Sequence, residues 1–145
     1  MKIPPDIHER VADLAAEIVN AGQSDDRRTS WSLYEELRSY CEAVAAAGRD
    51  HPFLWETLAD FTGDDQTAIA LYQRALPLAV AAGANEYTAS IHLALAERYS
   101  NLDAAEAAHE HALQADAFAR TSDDLPLRKA ISQFLLDHSQ RGEQE

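Results

Sequence analysis

Six histidines, one cysteine and three acidic pairs are the residues from which this chain could build a metal site or an acid–base site. His109 and His111 flank Glu110. Residues two apart on a helix point about 200° away from each other, so these two rings cannot grip one ion. No HExxH or CxxC pattern occurs, and no histidine has a second ligand four residues away. His109 and His92 read as packing residues at the interior or its boundary. Asp25–Asp26, Asp64–Asp65 and Asp123–Asp124 each stand where a helix should begin. Asp there caps free N–H groups and favours the positive end of the helix dipole. Cys41 lies among Leu37, Tyr40 and Val44 and reads as a small core hydrophobe. Glycine-rich phosphate loops, nucleophile elbows and calcium-loop patterns are all missing. These residues predict no enzyme, no cofactor and no bound metal.

The elements that would carry them read as seven helices, with no stretch of strand-like alternation. The first spans about 6–21, opened by an Asp6–Glu9 capping box and closed by Gly22. A polar loop at 23–29 leads to the second helix, about 30–47, which Gly48 stops. The third spans about 51–62 with Pro52 in its first turn, and the fourth spans about 65–82. Pro77 should kink the fourth helix, because it removes one hydrogen bond while the apolar pattern continues beyond it. The fifth spans about 86–100. The sixth, about 103–120, opens on a capping box at Asp103–Glu106 and shows a stripe of Ala105, His109, Ala112, Leu113 and Ala119. The seventh runs from Asp124 to about 138, and 139–145 reads as a frayed tail.

Length bounds the chain to one domain, 1–145. Acidic residues outnumber basic ones by 25 to 12, a net charge of −13. Residues 50–124 hold 13 acids against Arg74, Arg98 and Arg120, a balance of −10. Phosphate and anionic membrane surfaces need a basic partner, so neither nucleic acid nor membrane is expected. No apolar run approaches the roughly 20 residues of a membrane span, and the N-terminus lacks a secretory pattern. A cytoplasmic location is therefore expected. Oligomeric state cannot be read; Trp31 or Trp55 could close a dimer or pack between hairpins.

Residues 51–87 and 88–124 align without a gap at a spacing of 37. Leu58 and Ala59 fall on Leu95 and Ala96, Ala68 on Ala105, and Ala75 and Leu76 on Ala112 and Leu113. Trp55, Leu58 and Ala59 followed by Ala68, Tyr72 and Ala75 resemble the tetratricopeptide repeat family. Leu95, Ala96 and Tyr99 followed by Ala105, His109 and Ala112 resemble it with His in an aromatic's place. A degenerate earlier unit lies at about 7–48, and the helix at 124–138 would cap the stack. The turn between paired helices is about three residues shorter than usual for the family, and the second helices run longer. The resemblance implies an all-α, right-handed superhelix of antiparallel helical hairpins.

In that family the first helix of each hairpin lines a concave groove that binds a partner segment. The resemblance therefore implies a groove of Phe53, Glu56 and Asp60 from the third helix and Ser90, Leu93, Glu97 and Asn101 from the fifth. Such a groove is acidic, opposite in sign to the basic clamp by which some members hold acidic chaperone tails. The expected function is a protein-binding adaptor or scaffold taking a basic protein or peptide. The alternative is an immunity protein or antitoxin masking a basic toxin domain.

Overall fold

A computed structural model describes residues 2–143. Seven helices and no strand are present among them: α1 Pro5–Gln23, α2 Arg27–Ala46, α3 Pro52–Asp60, α4 Asp65–Ala81, α5 Asn85–Asn101, α6 Ala105–Ala119 and α7 Leu125–Glu143. The all-α expectation holds. None of these helices is long and apolar enough to cross a membrane.

Local chemistry sets most boundaries. Asp26 accepts from the Thr29 amide at 3.1 Å, Asp64 from the Thr67 amide at 2.9 Å, and Asp124 from the Leu127 amide at 3.1 Å. One member of each acidic pair is thus a cap. Gly48 and Gly83 adopt φ of +81° and +64°, the left-handed turn that ends α2 and α4. Asp64→Ala should lower the unfolding free energy by about 1 kcal/mol in urea titrations. Asp103→Gly should cost nothing, because Asp103 sits at φ 58° and caps no amide.

Several expected boundaries differ. Pro4 precedes α1, and Asp6 spends its carboxylate on Arg49, at 2.8 and 2.9 Å, instead of opening a capping box. Helix α1 runs past Gly22 and reverses at Asp25, which takes a φ of 53°, so the loop expected at 23–29 shrinks. His51, through Nδ1, caps α3 by accepting from the Phe53 amide at 3.0 Å. Helix α4 continues through Pro77 to Ala81. Helix α7 extends to Glu143, beyond the end expected at 138; residues 144–145 of the expected tail lie outside the described residues.

Neighbouring helices pack in pairs: α1 with α2, α3 with α4, α5 with α6, with α4 also against α5 and α7 against α6. Short turns make each pair an antiparallel hairpin. The main core gathers Ile7, Val11 and Leu14 of α1, Leu37 and Cys41 of α2, Trp55 and Leu58 of α3, Tyr72 of α4 and Leu95 of α5. A second cluster joins Ala89 and Leu93 of α5 to Ala115, Ala119 and Ile131. Cys41 behaves as the expected core hydrophobe: burial, with help from Glu42, pushes its thiol up to about 12.

The second helices carry matching buried quartets, Ala68, Tyr72, Ala75 and Ala79 in α4 and Ala108, Ala112, Ala115 and Ala119 in α6. These match at a spacing of 40, whereas Leu58–Ala59 and Leu95–Ala96 match at 37. The gapless alignment therefore fails in the second helices, since the α5–α6 hairpin holds three more residues. Ala105, His109 and Leu113 are exposed, contrary to the expected stripe.

Candidate functional site

Helix α3 turns Trp55, Leu58 and Ala59 inward, which leaves Glu56 and Asp60, one turn apart, on a shared face. Helix α5 turns Leu95 and Ala96 inward and presents Ser90 and Glu97 toward that face. The Ser90 hydroxyl donates to Glu56 Oε2 at 2.7 Å, which ties α5 to α3. The Tyr72 hydroxyl donates to Asp60 from α4.

All three carboxylates ionise less readily than usual. Burial pushes Glu56 up to about 7, the charge of Asp60 adds to this, and the Ser90 bond opposes it. Burial raises Asp60, with Tyr72 and Arg98 pulling the other way. Burial and then Asp60 raise Glu97, and Arg98 again opposes. Asp60 and Glu97 keep much of their surface in solvent, so Glu56 is the most perturbed of the three.

Arg98 does not neutralise them. Its guanidinium donates to Asp65 Oδ1 at 3.1 Å, to the Ala59 carbonyl at 3.3 Å and to the Gly63 carbonyl at 3.4 Å. It staples the C-terminal end of α3 to α5, where a cation suits the helix dipole. Among the described residues, Glu56, Asp60 and Glu97 enter no ion pair. The arrangement can receive a cationic side chain; among the described residues no group of three or more His, Cys, Asp or Glu side chains is placed to hold a metal ion.

Four of the seven expected site residues come together: Glu56, Asp60, Ser90 and Glu97. Phe53 stacks on His8 of α1 with ring centroids 5.5 Å apart. Leu93 is buried in the second core cluster, on the side facing α6 and α7. Asn101 donates its amide to Asp65 at 3.1 Å. Those three pack or brace: Phe53 is half-buried, Leu93 is buried and Asn101 is held by Asp65. Sequence reasoning missed Tyr72 and Arg98 as modulators. Arg98 adjoins Glu97, but nothing local told that its reach ends at Asp65.

The histidines that meet are not His109 and His111. His92 of α5 and His111 of α6 face each other with Nδ1 atoms 2.9 Å apart. His92 stacks on Phe118 and His111 on Tyr99, with centroids at 6.0 and 5.4 Å. The separation fits one shared proton; two nitrogens on one tetrahedral zinc stand roughly 3.4 Å apart. Burial, then repulsion from His111, lowers His92 to about 4, and burial lowers His111 against the pull of Glu110. His92 is thus the interior residue expected, while His109 is exposed.

No protein-family model, curated protein or solved structure matches this chain.

Proposed function

We propose that this protein is a helical-hairpin binding module that takes a basic segment of a partner protein on the acidic α3–α5 face. One observation carries the reading: Glu56, Asp60 and Glu97 converge with no ion-pair partner among the described residues, each ionising less readily than its ordinary value. A Lys or Arg side chain seated among them relieves that repulsion and recovers charge-assisted hydrogen bonds. The pattern of large and small residues in α3 to α5 supports a tetratricopeptide-like hairpin stack, whose first helices present such a face; in α6 the buried alanines fall three residues later than the aligned positions. The net charge of −13 adds long-range attraction for a basic partner.

The test uses Asp60→Lys with Glu97→Lys, two exposed positions; because Asp60→Lys also removes the acceptor of the Tyr72 hydroxyl, Glu97→Lys alone is titrated beside it. Titrated with Lys/Arg-rich peptides in a calorimeter, the double variant should bind at least about tenfold more weakly, a loss of roughly 1.4 kcal/mol. The parent's affinity should also fall with added salt. Equal affinity of parent and variant would remove this face from the function.

A further inference from the structure

Half of the chain's twelve basic residues are already committed. Arg10, Arg38, Arg49, Arg74, Arg98 and Arg120 each pair with a carboxylate. Arg128 and Lys129, like Lys2, Arg27 and Arg28, enter no ion pair among the described residues, although the protein carries 25 acids. Arg128 and Lys129 stand side by side in the first turns of α7, where the helix dipole is itself positive. Two cations there oppose the dipole rather than complement it, so stability of the helix does not explain them.

Helix α7 has two stripes. Leu127, Ile131, Phe134 and Leu135 face the second core cluster, and His138 anchors the same side through Ser100 at 2.9 Å. The other stripe is Leu125, Arg128, Lys129 and Ser132, spaced three and four residues apart. It lines a cleft of about 420 Å³ whose opposite wall is Asp116, Ala119 and Arg120 of α6. Three bases meet one acid there. One turn further along α7 the stripe reaches Leu136, and both end leucines are open, Leu125 at 67% and Leu136 at 55% exposure. The rise of a helix places them about 16 Å apart.

We propose that this α6–α7 cleft is a second docking surface, which takes an acidic amphipathic helix from a partner protein. Its carboxylates would meet Arg128 and Lys129, beside the Arg120–Asp116 pair, and its apolar side chains would cover Leu125 and Leu136. Charge complementarity selects this occupant: a positive cleft on a strongly negative molecule attracts an acidic segment locally. A polyphosphate chain or anionic membrane extends beyond the cleft and meets the repelling remainder. Apolar anchors about three turns apart suit an amphipathic helix whose i, i+4, i+7 stripe continues one further turn to i+11. The surface is distinct from the acidic face and opposite in sign, so it stands whether or not that face binds a basic segment.

The experiment titrates the full chain into a labelled peptide of about 18 residues, with Leu at i, i+4, i+7 and i+11 and Glu on the remaining positions, read by fluorescence anisotropy at low salt. Saturable binding is expected. It should weaken at least about tenfold in Arg128→Glu with Lys129→Glu, weaken severalfold in Leu125→Ser, and persist in Asp60→Lys with Glu97→Lys. Circular dichroism identifies any variant that fails to fold, and Arg128→Gln with Lys129→Gln then replaces the reversal. No binding, or equal binding by the charge variants, overturns the proposal. Self-association that the Arg128/Lys129 reversal disperses, seen by sedimentation without peptide, also overturns it in favour of a second copy. Tighter binding of an oligonucleotide or of anionic vesicles through the same residues does so as well.

Discussion

At about pH 8, Glu56→Gln unfolds at a higher urea concentration than the parent chain, with a gain on the order of 2 kcal/mol. Glu56 titrates near 7 in the folded chain against 4.5 as its ordinary value, chiefly because α3 and α5 take it out of water. The folded state therefore holds the proton more tightly. Its contribution is fully present below about 4.5 and is lost as pH rises through about 7. Glutamine has the shape of the protonated acid and keeps an acceptor for Ser90, so it removes the alkaline penalty. Solvent access and the Ser90 bond trim the gain below what the whole shift would give.

His92 works in the opposite direction. Its folded value is about 4 against an ordinary 6.5, so the unfolded chain binds the extra proton. That stability is present above about 6.5 and is lost as pH falls through about 4. Between about 4.5 and 6.5 the two slopes oppose each other. Glu56→Gln removes the falling one, so the variant's stability should rise relative to the parent's as pH increases across that window. Urea titrations at several pH values read both effects. Parallel profiles for parent and variant would mean that Glu56 is an ordinary solvated carboxylate, and the acidic face would lose its most perturbed member.

Trp55→Ala should cost about 3–5 kcal/mol, the largest single loss foreseen in this chain. The indole is wholly buried, and its Nε1–H donates to Asp50 Oδ1 at 2.6 Å. Arg74 of α4 lies 3.4 Å over the ring and bonds Glu42 of α2 at 3.0 Å. One side chain thus couples α2, α3, α4 and the turn before α3, and truncation leaves both a cavity and an idle guanidinium. Trp31, 67% exposed, is the control: its Ala variant should stay within about 0.5 kcal/mol of the parent. Calorimetric or urea unfolding distinguishes them. A small loss at Trp55 would show that the hairpins do not close around it.

How much was legible beforehand follows from where the information resides. Helix existence was legible because Ile7, Val11 and Leu14, or Leu37, Cys41 and Val44, recur at helical spacing among polar residues. Asp26, Asp64 and Asp124 announced their helix starts because a cap is a bond between residues three apart. Glu56 and Asp60 could be placed on one face for the same local reason. The face of α6 was not legible. Alanine dominates that helix, so hydrophobic periodicity has little contrast, and Ala105, His109 and Leu113 looked as good a stripe as Ala108, Ala112 and Ala115. Asp6 and Asp103 matched capping boxes by spacing, yet a neighbouring Arg49 claimed one and a left-handed turn the other.

The amino-acid order by itself determined seven helices, most of their ends, and a strong excess of negative charge, because propensity, capping and charge act over a few residues. Only the packing of α5 against α3 and α6 decided which side chains meet. It brought Ser90 to Glu56, set His92 against His111, turned Leu93 into the core and left Arg128 and Lys129 beside an open cleft. Such meetings depend on how far each helix is rotated about its axis. That rotation is set by the fit of whole surfaces, to which no short stretch of sequence is sensitive.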